Sequence, residues 1–164
     1  MTIILKNKET LNYKEFYFKC CVGKRGLTIN KIEGDKKTPK GTYFLGNLFY
    51  RKDKNPKPIT KLKCIPISKK MGWCNDTKNK KKYNRLIKIN KNICYEKMFR
   101  RDFKYDFIIP IKYNMNKTKL GKGSAIFIHL TKNYKPTAGC IALSKNDFLI
   151  LLKIINKKTK IKIN

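Results

Sequence analysis

The sequence predicts a mainly β fold with few short helices and one amphipathic helix near the C-terminus. Three observations carry this. Short apolar runs rich in β-branched and aromatic residues recur along the chain. Clusters of Gly, Pro, Asn and Asp separate them and read as turns and loops. Helical spacing is clear only once, where Phe148, Leu151, Leu152 and Ile155 fall on one face. At 164 residues the chain fits one domain, 1–164, and its 41% apolar content is enough to bury a core.

Taken in order, Ile3–Lys6 and Lys14–Val22 read as strands flanking a polar link, and are expected to form a hairpin. Cys20 and Cys21 lie in the second run and should pack as small hydrophobes. Gly23 to Gly26 bound a basic turn, and Lys31–Gly41, with Gly34, Asp35 and Pro39, reads as a surface loop. Thr42–Tyr50 is one aromatic, β-prone run, and Leu62–Ile67 is another short strand. The Asn- and Lys-rich stretch from Met71 to Asn90 reads as a long loop, with a short helix over Tyr95–Arg101. Tyr105–Tyr113 is a strand whose Pro110 predicts an edge or a bulge. Ala125–Leu130 and Gly139–Leu143 are expected to be core strands. Ser144 is a good N-cap, Asp147 stands where a carboxylate reaches back to it, and Thr159–Ile163 alternates as a closing strand.

Charge bounds the partners weakly. Lys and Arg number 41 against 10 Asp and Glu, a formal +31. Such a field attracts polyanions, which suits a nucleic-acid binder or an enzyme of an anionic polymer. A lysine-, asparagine- and isoleucine-rich composition is equally what an AT-rich genome produces. Arginine, the usual reader of phosphate, is scarce, and no aromatic–basic RNA-binding motif appears, so nucleic acid is the weaker partner. Six cysteines form no CxxC pair and meet a single histidine, so no metal site is expected. The N-terminus lacks signal-peptide anatomy, since the apolar run Thr2–Leu5 is too short, and no segment approaches the roughly 20 apolar residues of a membrane span.

The lone histidine, His129, stands eleven positions before Cys140 in IFIHLTKNYKPTAGCIAL. Only a few per cent of a free cysteine is thiolate at neutral pH, and a nearby imidazole can take its proton and stabilise the anion. If the two apolar runs are adjacent strands, the connecting loop can bring the side chains together. Gly139 would let main-chain N–H groups, that of Cys140 among them, hold an oxyanion. On chemistry alone, a Cys–His acyl-transfer site competes with a buried cysteine beside a surface histidine.

The wider pattern resembles the L,D-transpeptidase (YkuD-like) catalytic domain family. More specifically, GSAIFIHL followed by KPTAGCIALS is similar to a divergent branch reading G-S-A-I-F-L-H and then P-T-x-G-C-V-A-L. Upstream, Glu33-Gly34-Asp35 with Thr38-Pro39-x-Gly41, then Met71 to Asp76, then Tyr83-Asn84-Arg85, match further blocks in the same order. The resemblance implies a β-sandwich-like domain with mixed sheets. It implies an enzyme of peptidoglycan stem peptides, without metal or organic cofactor. A thiolate attacks the amide before the terminal D-Ala, and a second stem or water resolves the thioester. Cell-envelope or periplasmic localisation and an anionic cell-wall polymer as partner follow from that substrate.

Carried over, Cys140 is the nucleophile, His129 the general base, the Leu130 carbonyl its ring-orienting acceptor, and Gly139 with the Cys140 amide the oxyanion site. Arg85 is expected to grip a substrate carboxylate or to pair with Asp76 or another acid. Thr137 is assigned to substrate binding. Trp73 stacks near the site or is an ordinary core aromatic, and Cys74 is buried or a redox partner. Glu33 and Asp35 are read as loop-stabilising contacts. The chain departs from the commoner Ser/Thr-His-Gly-Cys motif at Ala138, and Ala142 replaces the usual Asn or Arg two residues after the cysteine. The divergent branch shares both departures. A non-catalytic wall-binding module of the same fold is the alternative.

Overall fold

The computed structural model describes residues 1–164. β1 (Thr2–Asn7), β2 (Thr10–Tyr13) and β3 (Phe16–Cys21) form an antiparallel meander, with Leu5 opposite Leu11 and Tyr13 opposite Phe16. The expected hairpin between the first and third runs is therefore replaced by a meander. The link is itself a strand, because Leu11 and Tyr13 alternate with Thr10 and Asn12 and both are buried.

The strands β6 (Gly41–Phe44) and β7 (Leu48–Tyr50) come from the run read as one strand. They lie toward opposite ends of a ten-stranded mixed sheet, in which β6 pairs with β15 (Lys160–Ile163) and β7 with β12 (Phe107–Pro110). The chain bends at Gly46, whose N–H donates to the Pro110 carbonyl at 2.7 Å. A Cβ at Gly46 would lie 3.2 Å from the proline ring, so the close pass favours glycine. Pro110 does not mark an edge; it stands where the register slips by one, since Ile108 pairs with Phe49 but Ile111 with Leu45, a bulge in the facing segment. It is the last residue of an interior strand, on the side where pairing with β7 has already stopped at Ile108, so no ladder donor is missed.

β8 (Cys64–Pro66) runs parallel to β7 at the sheet edge, and β15 runs parallel to β1. The sandwich implied by the resemblance thus takes the form of one curled mixed sheet around a core of 25 buried residues. The helix α1 (Lys145–Ile154) closes that core. Ser144 Oγ accepts from the Asp147 N–H at 3.1 Å, and Phe148, Leu151 and Leu152 are fully buried.

The stretch expected to be one long loop keeps a loop over residues 75–85, but its two ends are strands of a second sheet. β9 (Met71–Cys74) is flanked by β10 (Leu86–Lys88) and β11 (Tyr95–Lys97), all antiparallel. β11 occupies the place of the expected helix. Gly72 explains this: its bare Cα accepts the Tyr95 ring, which a Cβ would meet at 2.7 Å. The loop from Lys31 to Gly41 is less exposed than expected. Lys31 and Thr38 are buried, and β5 (Thr38–Pro39) pairs with β4 (Leu27–Thr28). The six cysteines are free thiols. No helix is long and apolar enough to cross a membrane.

Candidate active site

β13 (Phe127–Leu130) and β14 (Ile141–Leu143) are adjacent, as expected, but parallel. In a parallel pair a connecting loop must cross back along the strands, so it does not itself join neighbouring ends. The register does the work instead. His129 lies opposite Ala142, and Cys140, two residues before Ala142, faces the same side as Phe127 and His129. Both chemical groups line one cleft of about 600 Å³.

The Cys140 thiol is held by main chain. Its Sγ accepts from the Phe127 N–H and donates to the Ala125 carbonyl, both at 3.3 Å. Gly139 adopts φ +140°, and a Cβ there would lie 2.9 Å from the Lys37 carbonyl. Thr38 Oγ1 donates to the Gly139 carbonyl at 2.8 Å and accepts from the Gly23 N–H at 2.9 Å. This fixes the 139–140 peptide plane, and with it the direction of the Cys140 N–H, which has no protein acceptor. The Gly139 N–H is not free, since it donates to Thr137 Oγ1 at 3.1 Å. Thr137 in turn donates to the Cys140 carbonyl at 2.6 Å, so its hydroxyl shapes the turn although the residue lines the cleft.

His129 is tied to the main chain of its own strand. Its Nδ1–H donates to the Leu130 carbonyl at 2.9 Å. A carbonyl can only accept, so this contact assigns the proton to Nδ1 and leaves Nε2 as a base. Burial pushes the imidazole down to about 4, and the nearby Arg100 and Lys104 add to that against the Leu130 carbonyl. Burial pushes the Cys140 thiol up to about 12. Both shifts favour the uncharged forms, thiol and imidazole, over the thiolate and imidazolium.

Sequence reasoning missed Tyr105. Its ring meets the His129 ring edge-on at 5.2 Å, its hydroxyl donates to Glu96 at 3.0 Å, and Arg100 covers it at 4.7 Å. Nothing local in YDFIIPIKY signals this, because the contact depends on which strands become neighbours. Two predicted residues stand apart from the cleft. Arg85 is exposed, does not line it, and forms no ion pair with Asp76. Trp73 is 3% exposed and packs edge-on to Phe127 at 5.2 Å, in a cluster that includes Cys140. Cys74 is buried. No three His, Cys, Asp or Glu side chains converge as a metal site. The cleft does carry Lys31, Arg100, Lys104, Lys132 and Lys135 against Glu33 and Glu96, a positive balance.

The chain matches the family model of YkuD, the L,D-transpeptidase catalytic domain, over residues 1–163. It belongs to the YkuD family. Among solved structures, this YkuD domain is similar to the helical cell shape determining protein Pgp2 from Campylobacter jejuni, with a TM-score of 0.53 and 22% identity. It is also similar to Bdellovibrio bacteriovorus Bd1075, with a TM-score of 0.51 and 17% identity. The matches cover 99% of this chain but 46% of Pgp2 and 47% of Bd1075, so the YkuD domain spans less than half of either structure. At these identities the likeness is one of fold. No curated relative matches the chain.

Proposed function

We propose that this YkuD domain is a cysteine-dependent acyltransferase of peptidoglycan stem peptides. One observation carries the reading: the only imidazole, with Nδ1 committed to Leu130, shares a cleft with a thiol whose own N–H is unclaimed. Cys140 Sγ attacks the carbonyl between the diamino acid and the terminal D-Ala while His129 Nε2 takes the thiol proton. The Cys140 N–H faces the developing oxyanion. His129 then returns the proton to the departing D-Ala amine, leaving a thioester. An amine of a second stem resolves it as a cross-link, or water as an L,D-carboxypeptidase. The positive cleft supports a substrate with several carboxylates.

Incubation with a tetrapeptide stem followed by intact-mass spectrometry tests this. The wild type should gain the mass of the tetrapeptide less that of the released D-Ala, and Cys140→Ala should gain none. A wild type that binds the peptide but never forms the adduct is a non-catalytic module.

The surplus of 31 positive charges supports an anionic wall polymer as the partner that holds the domain on its substrate, in the cell envelope. Sedimentation with purified wall should then fail in about 0.5 M salt, where charges are screened within roughly 4 Å. Binding undiminished there would exclude an electrostatic partner.

A further inference from the structure

The segment Gly123–Ala125 precedes β13 and supplies the carbonyl that holds the Cys140 thiol. No main-chain hydrogen bond involves any of its three residues. Each is instead gripped by a side chain from elsewhere. The Gly123 N–H donates to Tyr83 Oη at 3.1 Å, and its carbonyl accepts from Asn114 Nδ2 at 2.9 Å. Ser124 Oγ donates to Glu33 Oε2 at 2.7 Å. The Ala125 N–H donates to Asn84 Oδ1 at 3.1 Å. Tyr83 Oη also donates to Glu33, so the grips on Gly123 and Ser124 are joined.

Two features make this more than loop packing. Ala125 has φ +52°, a left-handed conformation that alanine adopts only when its surroundings require it. The Asn84 contact is the one that fixes its N–H there. Asn84 is 2% exposed and has no freedom to turn. Its Oδ1 also accepts from Trp73 Nε1 at 2.9 Å, and its Nδ2 donates to the carbonyls of Tyr113 and Asn114 at 2.9 Å each. All four hydrogen-bonding positions of the amide are used.

We propose that Tyr83, Asn84 and Glu33 are positioning residues for the nucleophile, holding Gly123–Ala125 so that the Ala125 carbonyl aims the Cys140 thiol. The inference rests on reading Cys140 as that nucleophile. It gives the E-G-D and Y-N-R stretches a purpose through these residues, and one that Arg85 does not share. Displacing the carbonyl leaves the sulfur less well directed, which slows attack without weakening peptide binding. It also removes an acceptor that favours the protonated thiol.

Tyr83→Phe keeps the buried ring and drops the hydroxyl, and Ser124→Ala is nearly isosteric. Each should lower the acylation rate about tenfold with KM within about twofold. In each, the pH midpoint for iodoacetamide alkylation of Cys140, resolved by peptide mapping, should move down by about half a unit. Should Tyr83→Phe not fold, Ser124→Ala decides. Variants with lower Tm but wild-type acylation and an unmoved alkylation profile would overturn the proposal, reducing the grips to fold stability. Alkylation needs no substrate, so the clamp is tested even if no stem peptide is ever acylated.

Discussion

His129→Gln should slow acyl-enzyme formation by about 10²–10⁴-fold, the usual contribution of a positioned general base. The change keeps the side-chain volume and a hydrogen-bonding end, so the loss reports proton transfer rather than collapse. The pH dependence is the sharper signature. Because burial holds the imidazole at about 4, it stays neutral where an ordinary histidine would be charged. The acid limb of kcat/KM should therefore lie well below pH 6.5, and the single imidazole resonance of this one-histidine chain should titrate with it in NMR. A limb near 6.5 would mean that the ring is solvated and the pair differently built. Stability follows the same sign. The unfolded chain protonates His129 at about 6.5 and the folded one only near 4, so its contribution is complete above 6.5 and lost as pH falls toward 4. That loss is at most about 3 kcal/mol, and His129→Gln should abolish it.

Phe148→Ala should cost about 3–5 kcal/mol, among the largest losses available to one side chain here. Phe148 is fully buried on α1 and stacks on Phe107 of β12 at 5.9 Å and 27°. Its removal opens a void between helix and sheet that neither the capped helix nor the paired strand can close. Tm should fall by about 6–20 °C for a chain of this size. Ile150 lies on the outer face of the same helix and is 39% exposed, so Ile150→Ala should change stability by less than about 0.5 kcal/mol. Equal losses at the two positions would show that the helix face is misassigned.

Some of this was legible from residues alone. Ser144, Phe148, Leu151 and Leu152 announce α1 because capping and helical periodicity are local properties, and Lys160–Ile163 alternates in and out as its spacing requires. Cys140 and His129 could be singled out by chemistry, and the likeness to a known family supplied the ring-orienting carbonyl. What failed was non-local. Thr42–Tyr50 is uniformly β-prone, and only the approach of Pro110 to Gly46 shows that it serves two ends of one sheet. Tyr95–Lys97 joins β9 because Gly72 leaves room for a ring, a fact held by the partner strand. The direction of β14 relative to β13 is likewise unreadable from either run. So is the charge state of the pair, since burial decides it and burial belongs to the whole fold.

The crossover from β13 back to β14 divides in two: Thr137–Gly139 shape the turn that carries Cys140, while residues 131–136 lie farther from the sulfur in the chain. Strand register sets the floor of the site, while the crossover, with Lys132, Asn133, Lys135 and Pro136, forms part of its rim. Floor and rim are thus separable in evolution. Loops of other lengths could be spliced over the same floor, reshaping the mouth of the cleft while Cys140 and His129 keep their places on it.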